Sequence, residues 1–304
     1  MVSIPKNTSA HLALFAVAVI YGLNYFISKV VFEYVSPFGV LAMRSLSALT
    51  FFGILAVLFY REKLEKKDLL RVLFCAFSGI TFNQLFFLWG LAETTEINAA
   101  VLMITAPIFV FLIAYFGRTE TITLRKILGI ILAFIGSALL ITTGKTVAIG
   151  GETLRGDLMI IINALSYAVY LVAVKPLVAK YSPVFLFAIL FAIGGSINIA
   201  IGIQDLFAAN WALFPTTVIW YAVYIMICTT ILAYLLNLWA MKSVPASHVS
   251  IYVYLQPVIA GLLTAAQPQK AGYLTFSKIA CILLVFVGVG LVTIQKRKTL
   301  EKLI

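Results

Sequence analysis

Tyr21-Gly22-Leu23-Asn24-Tyr25-Phe26-Ile27-Ser28-Lys29, running on to Ser36-Pro37, is used twice in this chain. Tyr167-Ala168-Val169-Tyr170 leads through Lys175 to Ser182-Pro183, so Tyr, Lys, Ser and Pro all recur at one offset of 146 residues. The echo continues with a slow drift. Pro107 answers Pro257 at an offset of 150, and Lys126-Ile127, Phe134 and Gly136 answer Lys278-Ile279, Phe286 and Gly288 at 152. Loops of unequal length produce such a drift. The chain reads as a duplicated unit of about half its length, and a repeat of that kind has to be settled before any single motif.

Composition says what the unit is made of. Of 304 residues, 63% are hydrophobic and 11% charged, with a mean hydropathy of +1.09, whereas a soluble domain carries roughly 25% charged residues. The apolar residues fall in runs of about 20, the length of a membrane-crossing helix. Ten such spans are predicted, at 11–31, 38–60, 69–91, 97–116, 124–143, 156–176, 184–203, 215–236, 247–266 and 276–295. The first run is too long, and too closely followed by others, to be a cleaved signal. Arg61 to Asp68 is a charge run that hydrocarbon excludes. Lys145 to Gly156, with Gly144, Gly150, Gly151 and Gly156, forms a polar joint that divides the chain into units 1–146 and 147–304. Gln204–Phe214, with Trp211, is expected to be an interfacial loop. Cys75, Cys228 and Cys281 lie apart in apolar runs, without the spacing of a disulfide framework or a metal pair, and read as core thiols.

The net charge of +11 points to orientation rather than to nucleic acid, because basic residues beside spans gather on the cytoplasmic side. With the N-terminus inside, 16 of the 22 Lys and Arg fall on the inner face, which puts both termini in the cytoplasm. Five spans per unit make the second copy enter the membrane from the opposite side. The fold class that follows is all-α integral membrane, ten transmembrane helices as two inverted five-helix repeats. Such repeats characterise secondary transporters, with the site near the midplane between the halves.

The ten spans, the five-plus-five repeat, mid-helix Pro107 and Pro257, Arg44 in the second span, and the glycines of the fifth and tenth (Gly129, Gly136; Gly288, Gly290) together resemble the drug/metabolite transporter superfamily, in particular its EamA-type members. The resemblance covers nearly the whole chain. It implies a carrier for small metabolites, often an exporter of amino acids, in a prokaryotic inner membrane. It also implies a cavity lined by the first, third, fourth, sixth, eighth and ninth spans, with the fifth and tenth packed behind. Arg44, which matches an arginine common in the family, is expected to pair with carbonyls. The distant small multidrug-resistance relatives use a first-span glutamate where this chain has Tyr21 and Asn24, and some members carry an acid where it has Gln256.

Polar groups at membrane depth are costly, so each has a binding and a structural reading. Tyr21 and Asn24, three apart, share a helix face with Ser28 a turn further on, and their mates Tyr167 and Tyr170 repeat the spacing, with Asn163 one turn before. They line a cavity or bond between helices. His248, Tyr252 and Gln256 form an i, i+4, i+8 ladder ending at Pro257. Tyr252 and Gln256 are candidate contacts; His248 reads as interfacial and its counterpart Asn98 as a helix cap. Asn83 and Gln84 add amides, and Trp89 divides between cavity wall and aromatic belt. Lys29 and Lys175, mates near opposite faces, read either as cationic gates or as snorkelling side chains. No Asp or Glu lies mid-span, which argues against a proton-coupled exporter of cations and for neutral or zwitterionic solutes.

Other classes fit less well. Gly194-Gly195-Ser196-Ile197-Asn198 fails G-x-S-x-G at its last position, and the two histidines have no metal-ligand mate at i+4, so no enzyme, metal or cofactor is expected. No charged ring marks a channel filter. The expected partners are a small-molecule substrate and the lipid bilayer, not nucleic acid. The small residues of the fifth and tenth spans allow close helix approach, within one protomer or across a homodimer.

Overall fold

The computed structural model describes residues 6–60, 62–121, 123–142, 151–265 and 275–293. Among them all regular structure is helical, and nine helices are long and apolar enough to cross a membrane, by length and composition. They are α1 Lys6–Phe32, α2 Pro37–Phe59, α3 Lys66–Glu93, α4 Glu96–Phe116, α5 Leu124–Thr142, α6 Gly151–Lys180, α7 Pro183–Ala208, α8 Thr216–Met241 and α10 Phe276–Thr293. A further helical run, α9 at 246–265, is not among those nine. It joins an α-turn (Ala246–Ser250), a 3-10 stretch (Ile251–Tyr254) and a longer α-helix (Leu255–Ala265). Leu70, Phe116, Phe207 and Phe276 are each more than three-quarters exposed, an outer surface that suits hydrocarbon and not water. This is a multi-pass integral membrane protein.

The recurring Ser-Pro pairs start helices. Ser36 Oγ accepts from the Gly39 amide at 3.1 Å, and Ser182 Oγ from the Phe185 amide at 3.2 Å. Pro37 and Pro183 occupy the first helical position, where a missing N–H leaves nothing unpaired. Ser36 also donates to the Asp205 carboxylate on α7. That bond tethers the end of α7, which runs on to Ala208. The loop expected at Gln204–Phe214 is accordingly shorter, with Trp211–Leu213 as one 3-10 turn and Trp211 packed 4.7 Å from Phe214.

Packing follows the repeat offsets. α5 lies on α10 and α2 on α7, while α1 packs chiefly on α8 and α9, and α6 on α3 and α4. The α5–α10 seam needs glycine: a Cβ at Gly288 would meet Ala133 N at 2.5 Å and Gly129 O at 2.6 Å. The small residues of these two helices are therefore spent on a contact inside the chain.

Among the described residues three helices carry π turns, at Phe77–Phe82 in α3, Phe191–Gly195 in α7 and Ile225–Leu232 in α8. Such turns commonly mark functional sites. The prolines break α4 and α9 at matching places. α4 is interrupted at Ile104–Thr105 ahead of Pro107, and the 3-10 stretch of α9 precedes Pro257. Proline frees carbonyls in the preceding turn, and the Tyr254 carbonyl is taken by Ser137 Oγ of α5 at 3.0 Å. The joint at 144–150 with the 146/147 boundary, Arg61, Lys145, Lys270 and the basic residues beyond 293 lie outside the described residues.

Candidate solute-binding cavity

The central cavity, about 70 Å³, is several times the roughly 10–15 Å³ that one water needs on the same measure. Seven of the eleven candidates chosen from sequence line it: Tyr21 and Asn24 on α1, Arg44 on α2, Asn83 and Gln84 on α3, Tyr167 on α6 and Gln256 on α9. Asn163 joins them. The helices are those the family resemblance implies, with one addition, since Arg44 brings in α2.

The wall is cross-linked between elements far apart in sequence. Gln84 Nε2 donates to Tyr234 Oη at 3.1 Å, Asn163 Nδ2 to the Asn83 carbonyl at 2.6 Å, and Tyr25 Oη to Gln256 Oε1 at 3.4 Å. Ser28 donates to Asn24 Oδ1 at 3.1 Å, which leaves the Asn24 amide nitrogen for the cavity. Gln84 Oε1 and Asn163 Oδ1 are buried with no partner among the described residues. Buried acceptors without partners are uncommon and costly, and both of these residues line the cavity.

Arg44 differs from expectation. Only 4% exposed, it pairs with no carbonyl among the described residues; its Nε donates to Thr230 Oγ1 at 2.9 Å. Thr230 sits in the π turn of α8, where its hydroxyl, at 2.9 Å from the Ile225 carbonyl, can pass that bond on.

Two candidates stand beside the cavity rather than in its wall. Tyr170 is packed on Gly79, where a Cβ would meet its ring at 2.2 Å, and it borders a smaller void with Tyr21 and Tyr167. Tyr252 lines another side void, and its hydroxyl lies 3.0 Å from His11 Nδ1. His248 is buried within the protein, 2% exposed, with its ring centroid 5.9 Å from that of His11. Asn98 is not the cap of α4. Thr95 is, accepting the Asn98 amide at 3.1 Å, while the Asn98 side chain donates to Asp157 and Thr153. Trp89 lies outside the cavity, under the Arg155 guanidinium at 4.7 Å.

Lys29 and Lys175 hold helix ends. Lys29 Nζ donates to the Thr94 carbonyl at 2.8 Å, at the end of α3. Lys175 Nζ donates to the Met241 and Val244 carbonyls at the end of α8, the second at 2.6 Å. Thr94 and Val244 are mates at the same offset of 150 as the prolines. A cation at a helix C-terminus is favoured by the macrodipole.

Carboxylates support both regions. Asp157, 1% exposed, accepts from Thr94 Oγ1 at 2.6 Å and Thr153 Oγ1 at 2.9 Å. Glu120, between α4 and α5, takes the Ser247 amide at 3.0 Å, the Ser247 hydroxyl, and Lys126 at 3.0 Å. Burial alone would raise the Glu120 pKa, but these donors outweigh it and hold the carboxyl below its usual range.

Tyr25, Phe87, Met103, Tyr234 and Val253 complete the wall and were not among the candidates. The offset of 150 could have found one of them, since it pairs the candidate Gln84 with Tyr234, and the two bond to each other.

A polytopic helical fold around a chamber of about 70 Å³, whose largely apolar wall carries amides, phenols and one guanidinium, suits a membrane transport protein. The chain belongs to the EamA-like transporter family, whose model matches residues 8–142 and again 154–294. An uncharacterized transporter of Archaeoglobus fulgidus is 28% identical over 84% of this chain and 88% of its own length. The uncharacterized transporter YyaM of Bacillus subtilis is 28% identical over 98% and 99%. A solved crystal structure superposes with a TM-score of 0.73 at 17% identity, covering 93% of this chain and 96% of that one. At that identity the likeness speaks to the fold alone.

Proposed function

We propose that this protein is a secondary carrier that exports a small metabolite, amino acids or related zwitterions first, by alternating access. It works as two inverted five-helix repeats, 1–146 and 147–304, in a bacterial inner membrane with both termini cytoplasmic. The observation that carries the reading is the cavity itself, walled by both halves and furnished with amides, phenols and one cation. Support for inversion comes from the packing of helices on their offset mates and from the lysines held on Thr94 and Val244. Such a pair of contacts gives each half its own latch, and alternate release would turn the cavity from one face to the other.

A second reading, an anion or phosphorylated-metabolite exchanger, is favoured by Arg44 and by the basic clamps. A channel has less support, because the described wall carries no ring of like charges.

A thermal-shift screen of detergent-purified protein against amino acids, nucleosides, polyamines and sugar phosphates separates these readings. Ligand at a hundredfold excess over its Kd stabilises the folded state by about 2.7 kcal/mol. The expected hit is an amino acid, lost in Asn24→Ala and Tyr167→Ala but kept in Tyr170→Phe, whose hydroxyl lies outside the cavity wall. Hits confined to phosphates would select the second reading.

A further inference from the structure

We infer that Arg44 is the receptor for a single carboxylate of the transported solute, and that a donor group on the same solute is read by Gln84 Oε1 and Asn163 Oδ1. This rests on the carrier reading and adds to it the charge and polarity of what is carried.

A guanidinium has five N–H donors. Arg44 uses one of them, on Thr230 Oγ1. None of the described residues lining the cavity is Asp or Glu, so no acid on its wall neutralises the charge. Aromatic rings do not serve instead: the cation–π contacts among the described residues are Arg155 on Trp89 and Lys180 on Tyr181, not Arg44 on a neighbouring tyrosine. A buried cation left in this condition is strongly unfavourable unless an anion joins it. The remaining fork of the guanidinium matches a carboxylate, which it can grip through two parallel bonds.

Two oxygens of the wall have the opposite polarity. Gln84 Oε1 and Asn163 Oδ1, on α3 and α6, are acceptors without partners, and Tyr21, Tyr25, Tyr167 and Tyr234 present aromatic surface around them. An ammonium suits both, through hydrogen bonds to the oxygens and through the ring faces. One fixed positive charge calls for one negative charge on the solute. A phosphate dianion would leave an excess negative charge in a chamber with no second cation on its described wall.

A kinetic consequence follows. The empty cavity holds an unpaired guanidinium, and closing it away from water is harder than closing the loaded one, in which the solute's carboxylate pairs it. Exchange of solute for solute is therefore faster than net flux.

The test uses the full chain in detergent with matched probes: alanine, leucine and phenylalanine, each as the free acid, the carboxamide and the decarboxylated amine, plus inorganic phosphate. The expected result is stabilisation by a free acid, with its amide and amine about 10- to 100-fold weaker, the factor for losing a hydrogen bond to a charged group. Arg44→Lys is expected to retain part of that binding and Arg44→Gln to lose it. The acid–amide comparison needs no mutant, so it stands even if Arg44→Gln fails to fold. Equal binding of acid and amide would overturn the Arg44 assignment and leave the carrier reading intact, as would acid binding preserved in folded Arg44→Gln. Stabilisation by phosphate alone would overturn the carboxylate. If no probe binds in any form, this inference and the amino-acid reading fall together.

Discussion

Gly202→Ala is expected to leave little folded protein. Its Cβ would stand 1.8 Å from the Phe38 carbonyl oxygen and 2.5 Å from its carbon, so α7 could not keep its seat on α2. Ordinary overpacking costs about 1–3 kcal/mol because side chains shift aside. Here the obstacle is backbone on backbone, and the loss should exceed that range. Gly53→Ala is the control: a Cβ there meets nothing within 4 Å, and replacing a mid-helix glycine by alanine should stabilise by roughly 0.5–1 kcal/mol. Thermal unfolding of the detergent-purified variants, with size-exclusion profiles, reads both. Equal midpoints for the two variants would mean that α2 and α7 do not approach as described.

Lys29→Met and Lys175→Met should disturb transport in opposite senses. Each removes hydrogen bonds from a charged donor to a helix-end carbonyl, worth about 1.5–3 kcal/mol. If a latch is made in one conformation and open in the other, its loss shifts their ratio about 10- to 100-fold. The shift is readable with Met103→Cys in a background lacking Cys75, Cys228 and Cys281, alkylated from either side by an impermeant reagent. Lys29→Met should raise labelling from the face bearing Thr94, and Lys175→Met from the face bearing Val244. Identical changes in both variants would contradict the latch account. Methionine keeps the aliphatic stem, so what is lost is the ammonium and not the packing.

The parts of this structure that sequence made legible are those written in periodicity and repetition. Helix positions follow from apolar runs. The offset between Ser36-Pro37 and Ser182-Pro183 marks equivalent helix starts, and the hydroxyl caps explain why those two residue types recur. Seven cavity residues were reachable because a polar side chain inside an apolar run needs a polar neighbour or a cavity. What stayed hidden depended on rotation about a helix axis. Tyr25 adjoins Asn24 in sequence yet reaches the same chamber through Gln256, and Tyr170 shares a face with Tyr167 yet turns onto Gly79. The π turns alter this rotation in α3, α7 and α8, and no spacing rule announces them. Lys29 and Lys175 were ambiguous for another reason: snorkelling and carbonyl clamping place the same ammonium at the same depth, and only the partner distinguishes them. Arg44 was legible as a charge, but its isolation was not, because that depends on which side chains the other helices bring to it.

The most direct test of the carrier account is counterflow in proteoliposomes holding the purified protein. Vesicles are loaded with millimolar unlabelled amino acid, and entry of micromolar labelled amino acid is followed. A carrier predicts saturable, transient accumulation of label above the outside concentration, driven by exit of the unlabelled solute and lost in Asn24→Ala. Flux that rises linearly with concentration and ignores the solute on the other side would contradict alternating access and make the cavity part of a pore.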